Sequence, residues 1–209
     1  MKRFSLLVLA ILALAACDSK PNTNLTPAEQ PTKAAAKTAE YETGREAFQK
    51  LFISAHSWAP DAQPFRLQSQ YNPGDPETEG KSGVWRASFG SASRRSMKAF
   101  QWTGIVSPDV EQGISHGSED SYSATNTSTQ VFDIAYLKVD SDAAFGVAQK
   151  HGGEKLTGAD AKIPIFFTLD WDHTKNKLIW HVSYGSSGDD SKLRVAVDAT
   201  TGTFLRIEK

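Results

Sequence analysis

Three ionisable side chains towards the carboxyl end of the chain have the types and the spacing that acid–base or metal chemistry would need. Asp170 and Asp172 alternate along one predicted strand, and His181 lies on the next strand of the same predicted hairpin. Because alternate residues of a strand face the same side of a sheet, the three side chains would share one face. One interpretation is a hydrolase that uses this face. The other is a solvated face on which Lys177 balances the acids.

Other catalytic and metal-binding patterns do not occur in the sequence. None of the five histidines has a second histidine four residues away, which a helical zinc site would need. Gly185-Ser186 lacks the second glycine of a nucleophile elbow. Gly152-Gly153 ends a predicted helix, whereas a phosphate loop opens one. We therefore expect no cofactor and no metal ion, and a protein that is not an enzyme.

The charge balance argues against a nucleic-acid partner. The 209 residues include 23 Lys and Arg against 24 Asp and Glu, a formal net charge of −1. Proteins that bind DNA or RNA through the phosphate backbone need an excess of positive charge. The 39% hydrophobic and 10% aromatic content is that of a globular protein with one core.

The first seventeen residues have the pattern of an export signal. Two basic residues precede an apolar run over residues 4–14, which is too short to cross a bilayer. The following Leu-Ala-Ala and Cys17 resemble the lipobox of bacterial lipoproteins. That resemblance implies cleavage before Cys17 and its acylation, with palmitate as a typical acyl chain, so that the protein is anchored to membrane lipid on the periplasmic side. The alternative is a plain secretory signal in which Cys17 has no role.

Five segments are predicted along the chain. Residues 18–40 are rich in Pro, Thr and Ala and bury too little surface to fold, and residues 103–130 are rich in Ser, Thr, Gly and Asn. We expect the second of these stretches to be disordered or a loose surface loop. The segments are a signal peptide (1–16), Cys17 with a flexible tether (17–40), a first unit (41–102), a connecting loop and lead-in strand (103–138) and a second unit (139–209).

An internal repeat relates the two units. Residues 85–91 (Trp-Arg-Ala-Ser-Phe-Gly-Ser) align without a gap with residues 180–186 (Trp-His-Val-Ser-Tyr-Gly-Ser), at an offset of 95. Upstream, Thr43 aligns with Asp140 at an offset of 97. The repeat predicts two copies of one structural unit, and chance similarity of two Trp-containing strands is the alternative.

Each unit is predicted to open with a helix. Thr43 and Glu46 have the spacing of a capping box, and apolar residues then recur every three or four positions until Pro60 ends the helix. A shorter second helix begins at Asp140 or Ser141. Both helices need an apolar surface to cover.

Predicted strands supply that surface. Pairing Asp172 with Lys177 across a four-residue loop fixes the register of a hairpin and places four large apolar pairs on one face. These pairs are Trp171 with Leu178, Leu169 with Trp180, Phe167 with Val182, and Ile165 with Tyr184. Further strands are predicted over residues 65–71, 84–91, 97–102 and 193–197.

The end of the second unit resembles a known family. The Trp180-x-Val182 pattern, followed by Val-x-Val-Asp-Ala-x-Thr-Gly over residues 195–202, is similar to the PepSY or PepSY-like module of bacterial envelope proteins and protease propeptides. The resemblance implies an α+β fold of two helix-plus-antiparallel-sheet units in tandem. It also implies protease inhibition or binding in the envelope, and it offers no catalytic motif to transfer.

The two aligned hairpin tips carry opposite charges. Arg94 and Arg95 in the first unit align with Asp189 and Asp190 in the second. They are either solvated turns or partner contacts. The leading functional hypothesis is a membrane-anchored envelope lipoprotein that binds a protein or peptide without catalysis, with a peptidase as one candidate partner. The alternatives are the hydrolase described above and a purely structural envelope component.

Overall fold

The computed structural model describes residues 38–71, 79–106, 111–185 and 191–208, which belong to one compact unit spanning residues 37–209. Cys17 and the acidic tip at Asp189 and Asp190 lie outside the described residues. The described part contains three α-helices, ten strands and three shorter helical turns of 3₁₀ or π type, which confirms the α+β class. The helices are α1 (Gly44–Trp58), α2 (Ser141–Ala148) and α3 (Glu154–Ala159). The strands are β1 (Glu42–Thr43), β2 (Gln63–Ser69), β3 (Lys81–Ser82), β4 (Val84–Ser91), β5 (Ser96–Thr103), β6 (Gly113–Ser121), β7 (Ile165–Asp172), β8 (Lys177–Gly185), β9 (Ser191–Asp198) and β10 (Phe204–Glu208).

Eight strands form one antiparallel sheet in the order β10-β9-β8-β7-β2-β4-β5-β6. Read outward from the centre, each half is a meander of four strands taken in chain order. The halves join where β2 pairs with β7, with Leu67 opposite Leu169. The two sequence units therefore share a single sheet. Strands β1 and β3 form a separate two-stranded pair.

The predicted register of the β7–β8 hairpin is confirmed. Asp172 lies opposite Lys177 and Leu169 lies opposite Trp180, and the other three predicted pairs also occur. The large apolar side chains of these pairs face the helices. Helix α1 packs over β2, β4 and β5, and α2 packs over β8 and β9. The apolar residues alternate along the hairpin because helices cover only one face of the sheet.

Two buried tryptophans occupy equivalent places in the two halves. Trp85 on β4 and Trp180 on β8 are fully buried, and their rings meet edge to face with centroids 6.3 Å apart. Each indole N–H donates to the carbonyl oxygen two residues before the helix of its own half, at 2.9 Å: Trp85 to Glu42 and Trp180 to Val139. The two tryptophans therefore tie each helix start to its own strands and also join the halves.

The helix starts follow the capping pattern read from the sequence. Thr43 caps α1 through a capping box with Glu46, and Asp140 caps α2. Helix α1 ends at Trp58, and Ala59 is its cap before Pro60. Because side-chain oxygens satisfy amide groups that the first turn of a helix leaves unbonded, these residues fix where each helix begins.

The two helix starts are also bonded to each other. The amide of Gly44 donates to Ser141 Oγ at 2.8 Å, and the amide of Arg45 donates to Asp140 Oδ1 at 2.9 Å. Ser141 Oγ in turn donates to the carbonyl of Gly80 at 2.6 Å. Two amides in the first turn of α1 therefore depend on residues of the second half for their hydrogen bonds.

Close packing at Gly44 predicts opposite effects for two glycine substitutions. A methyl group at Gly44 would lie 2.6 Å from Cη2 of Trp180 and 3.1 Å from Cη2 of Trp85, whereas at Gly146 in α2 it would meet nothing within 4 Å. We expect Gly44→Ala to lower the free energy of unfolding by about 1–3 kcal/mol through overpacking. Gly146→Ala should raise it by about 0.5–1 kcal/mol through helix propensity. Urea unfolding of both variants tests this, and an equal shift in the same direction would contradict the tight contact.

Three local predictions need correction. The lead-in strand predicted at the end of residues 103–138 is not formed in the described part of that segment: Asp133 caps a single 3₁₀ turn over Ile134–Tyr136, because its side chain accepts from the amide of Ala135. Residues 113–121, placed in a loose loop from the sequence, form strand β6, whose backbone pairs with β5 although nearly all its residues are exposed. An edge strand held by backbone hydrogen bonds needs no apolar alternation, so the sequence carried no signal for it. The glycines at 152 and 153 bend the chain instead of ending the helical segment: Gly152 has φ 117°, and α3 follows.

Candidate functional site

The candidate site lies on the sheet face turned away from the helices. On β8, Trp180 and Val182 face the helical layer, so Ile179, His181 and Ser183 face the opposite side. The same alternation places Asp170 of β7 and Glu208 of β10 on that opposite side. We call this the outer face. It carries all three residues that the sequence analysis singled out for acid–base chemistry.

His181 is held between two carboxylates. Its Nδ1 lies 2.6 Å from Oε2 of Glu208, and its Nε2 lies 3.3 Å from Oδ1 of Asp170. Ala196 is its direct neighbour on β9, and this small side chain leaves room for Glu208 to reach across from β10. Only 7% of His181 is exposed. The imidazole therefore links an edge strand to the middle of the sheet.

The carboxylates of Asp170 and Glu208 favour the protonated form of His181. Burial favours the neutral ring, but hydrogen bonds and charge attraction from Asp170 and Glu208 outweigh it, so the pKa of His181 is raised above 6.5. Conversely, the pKa of Glu208 is lowered, because its bond to His181 and the nearby Arg194 and Arg206 outweigh the cost of burial. The arrangement is an ion pair in which histidine is the cation.

Asp172 does not join this cluster. Its Oδ1 accepts hydrogen bonds from the amides of Thr174 and Lys175 and from the Thr174 hydroxyl, which lowers the pKa of Asp172. Its other oxygen lies 3.7 Å from Arg206. The structure thus brings together two of the three predicted residues, His181 and Asp170, and uses Asp172 to hold the hairpin turn.

Sequence reasoning missed Glu208 and the two arginines beside it. Arg194 Nε lies 3.0 Å from Oε2 of Glu208, and Arg206 lies 2.5 Å from its other oxygen. A signal was present: the predicted turn over residues 198–202 is followed by alternating Arg206, Ile207 and Glu208, which is a pattern typical of a returning strand.

In this cluster the carboxylates of Asp170 and Glu208 neutralise the positive charge of His181. A general base needs a free ring nitrogen in the neutral imidazole. Both ring nitrogens of His181 are occupied by carboxylates, and the raised pKa favours the imidazolium. In the described ranges, no group of three His, Cys, Asp or Glu residues could hold a metal ion.

The raised pKa of His181 predicts a pH dependence of stability. A group with a raised folded pKa contributes stability that is complete below its unfolded value of 6.5 and is lost as the pH rises through the folded pKa. We expect the free energy of unfolding to fall as the pH rises above about 6.5, and His181→Gln to flatten this slope. His173→Gln, the same change in the exposed β7–β8 loop, is the control. Parallel pH profiles for wild type and His181→Gln would contradict the assignment.

The predicted basic tip is only partly available to a partner. Arg94 lies 3.1 Å from Glu119, and its guanidinium group lies 5.5 Å from the centre of the Trp58 ring. Arg95 is exposed at the turn, with φ 52°. Arg94 therefore has an intramolecular role in joining the β4–β5 turn to β6 and α1. A partner contact at this tip stays a prediction.

Comparison with known proteins gives one match. No family model and no curated protein matches the chain. Among solved structures, the crystal structure of a candidate lipoprotein from Clostridium difficile 630 matches with a TM-score of 0.51 and 11% identity, over 83% of this chain and 97% of that chain. The two chains share a fold. Among the described residues, no helix is long and apolar enough to cross a membrane.

Proposed function

We propose that the protein is a membrane-anchored lipoprotein of the bacterial envelope that binds another protein or a peptide without catalysing a reaction. The outer face, which neither α1 nor α2 covers, carries this proposal. The sheet is eight strands wide, and helices α1 and α2 cover the opposite face. The outer face carries polar and charged side chains such as Arg66, Gln68 and Arg86. A broad face with exposed polar and charged side chains can recognise a partner through complementary charges.

The anchor part of the proposal rests on the amino-terminal pattern. Residues 4–14 and the Leu-Ala-Ala that precedes Cys17 have the layout of a lipoprotein signal. The structural neighbour described above is itself named as a candidate lipoprotein, which supports the assignment. The predicted tether, residues 18–40, would then join lipid and domain on the periplasmic side. Its last residues already contact the domain, since the amide of Glu40 donates to the carbonyl of Gly104 at 2.9 Å.

We also propose that the two halves are PepSY-like units. This part of the proposal rests on the duplicated architecture. Each half opens with a helix that starts at a side-chain cap and continues into a meander of four strands, and the second half adds the short helix α3. The equivalent bonds of Trp85 and Trp180 support an origin of both halves from one unit. Under this proposal, a peptidase of the envelope is one candidate partner.

The engaged state of His181 supports binding over hydrolysis. With Asp170 and Glu208 on its two nitrogens, His181 would have to lose one of these ion pairs before it could accept a proton from a nucleophile. The proposal therefore assigns the cluster a structural role. A hydrolase that uses Asp170, Asp172 and His181 would instead need a neutral His181 with one ring nitrogen free to accept a proton.

The test combines partner capture with substrate turnover. The lipidated full chain, purified in detergent, is used to recover partners from membrane extracts of its host and is assayed with peptide, ester and glycoside substrates. We expect one partner to be recovered specifically, both by wild type and by the Asp170→Asn/Asp172→Asn/His181→Gln variant, provided that the variant is folded by circular dichroism. Turnover that disappears in this variant would overturn the proposal in favour of an enzyme. Failure of the wild type to recover any partner would favour a purely structural component.

A further inference from the structure

The two halves of the outer face differ in charge. In the second half every acid has a cation beside it: Asp170 and Glu208 contact His181, Asp172 contacts Arg206, and Asp198 contacts Lys177 at 2.5 Å. In the first half, none of the outward-facing residues of β2, β4 and β5 is acidic, and Asp120 of the edge strand β6 lies beyond them, opposite Met97. We call that part of the outer face the basic strip. Its residues are Arg66, Gln68, Arg86, Ser88, Ala99 and Gln101.

The cations of the basic strip are available. Arg66 and Arg86 are both exposed. Arg86 has no ion-pair partner among the residues that the structure describes, and Arg66 has only Asp170 at 3.7 Å on the neighbouring strand. In a chain with a formal net charge of −1, a strip that has no acid of its own is a local reversal of sign. Such a strip attracts carboxylates, which guanidinium groups bind through paired hydrogen bonds.

The register sets the distance between the two arginines. Arg66 lies opposite Ser88, and Gln68 lies opposite Arg86, so Arg66 and Arg86 are diagonal neighbours on one face. Diagonal neighbours in an antiparallel pair are about 7–8 Å apart. Along an extended peptide, side chains at alternate positions face the same way and are about 6.8 Å apart. The two spacings match, so an extended peptide can present two carboxylates to Arg66 and Arg86.

We infer that the basic strip binds an extended acidic segment of a partner protein, in which two Asp or Glu residues separated by one residue pair with Arg66 and Arg86. The amides of Gln68 and Gln101 flank Arg86 on the neighbouring strands. The Gln101 amide gives one hydrogen to Thr103 Oγ1 at 3.2 Å, so its second hydrogen and those of Gln68 can reach the same carboxylates or the peptide backbone. This inference rests on the proposed binding function and names the chemistry of the partner.

Binding of a synthetic probe tests the inference. The probe is a fluorescent nine-residue peptide with a central Glu-Thr-Glu, and its counterpart has Lys-Thr-Lys. Fluorescence anisotropy is measured with the full chain in detergent at low and moderate salt. We expect the Glu peptide to bind with an affinity that falls as salt increases, because partly exposed charge pairs are screened, and the Lys peptide to bind at least about tenfold more weakly.

Variants locate the site. Arg86→Gln and Arg66→Gln should each weaken Glu-peptide binding by about fivefold, the size typical of a partly exposed charge pair. Arg45→Gln, at an exposed position of α1 on the other side of the sheet, is the matched control and should have no effect. Unchanged binding in the Arg66→Gln/Arg86→Gln variant, or equal binding of the Lys peptide, would overturn the inference. Equal binding of polygalacturonate that also depends on Arg86 would overturn the peptide assignment in favour of a polysaccharide.

Partner recovery separates this inference from the proposed function. If the Arg66→Gln/Arg86→Gln variant recovers the same envelope partner as the wild type, the inference fails and the binding function stands. If the wild type recovers no partner, the binding function itself fails. Loss of recovery in this variant, with unfolding unchanged, would support both.

Discussion

Replacing Trp180 with alanine is expected to lower the free energy of unfolding by about 3–5 kcal/mol, the usual cost of removing a large buried aromatic side chain. Trp180 is 0% exposed, packs edge to face on Trp85 and donates its indole N–H to the carbonyl of Val139. The substitution would leave a cavity between the two halves and remove a hydrogen bond at the start of α2. Denaturant unfolding followed by circular dichroism measures the loss.

Ile53 provides the control for this experiment. It lies on α1 and is 69% exposed, so Ile53→Ala removes an apolar side chain that packs against little. Its effect should stay within about 0.5 kcal/mol. Asp170→Ala is a poor control, because Asp170 is partly buried and contacts His181 and Arg66. Equal unfolding midpoints for Trp180→Ala and wild type would contradict the observed packing.

Replacing Cys17 with serine is expected to move the protein out of the membrane fraction or to leave it with an uncleaved signal. A serine cannot carry the thioether-linked lipid, and one acyl chain alone gives only marginal membrane binding. Fractionation of host cells followed by mass spectrometry of the mature amino terminus measures both outcomes. Ser19→Ala, two residues further along the chain, should stay in the membrane fraction. A wild-type protein that fractionates as soluble, with a first residue other than an acylated cysteine, would refute the anchor.

Local features of the fold could be predicted because their causes lie within short stretches of sequence. Thr43 and Glu46 define a helix start within four residues, and the β7–β8 register follows from alternation on both sides of one short loop. Asp140 acts as a cap for the same local reason. In each case the residues that determine the helix start or the strand register lie within that element, a few positions apart in the sequence.

Features that depend on distant contacts could not be predicted in this way. Pairing of β2 with β7 brings Leu67 opposite Leu169, about a hundred residues away, and nothing local indicates that the two units share one sheet. The candidate site has the same limitation. Asp170 and His181 are close in sequence and were predicted together, whereas Glu208 meets His181 only because β9 and β10 continue the sheet.

The joining of β2 with β7 also bears on aggregation. Two separate four-stranded sheets would have four edge strands, and each free edge is a template on which other chains can add. The joined sheet has two, β6 and β10. Both pair irregularly with their neighbours, with register shifts between Lys98 and Phe100 on β5 and between Phe204 and Arg206 on β10. Such bulges make an edge a poor template for a further strand. The irregular edges of the joined sheet therefore disfavour the addition of strands from other chains, the step by which fibres grow.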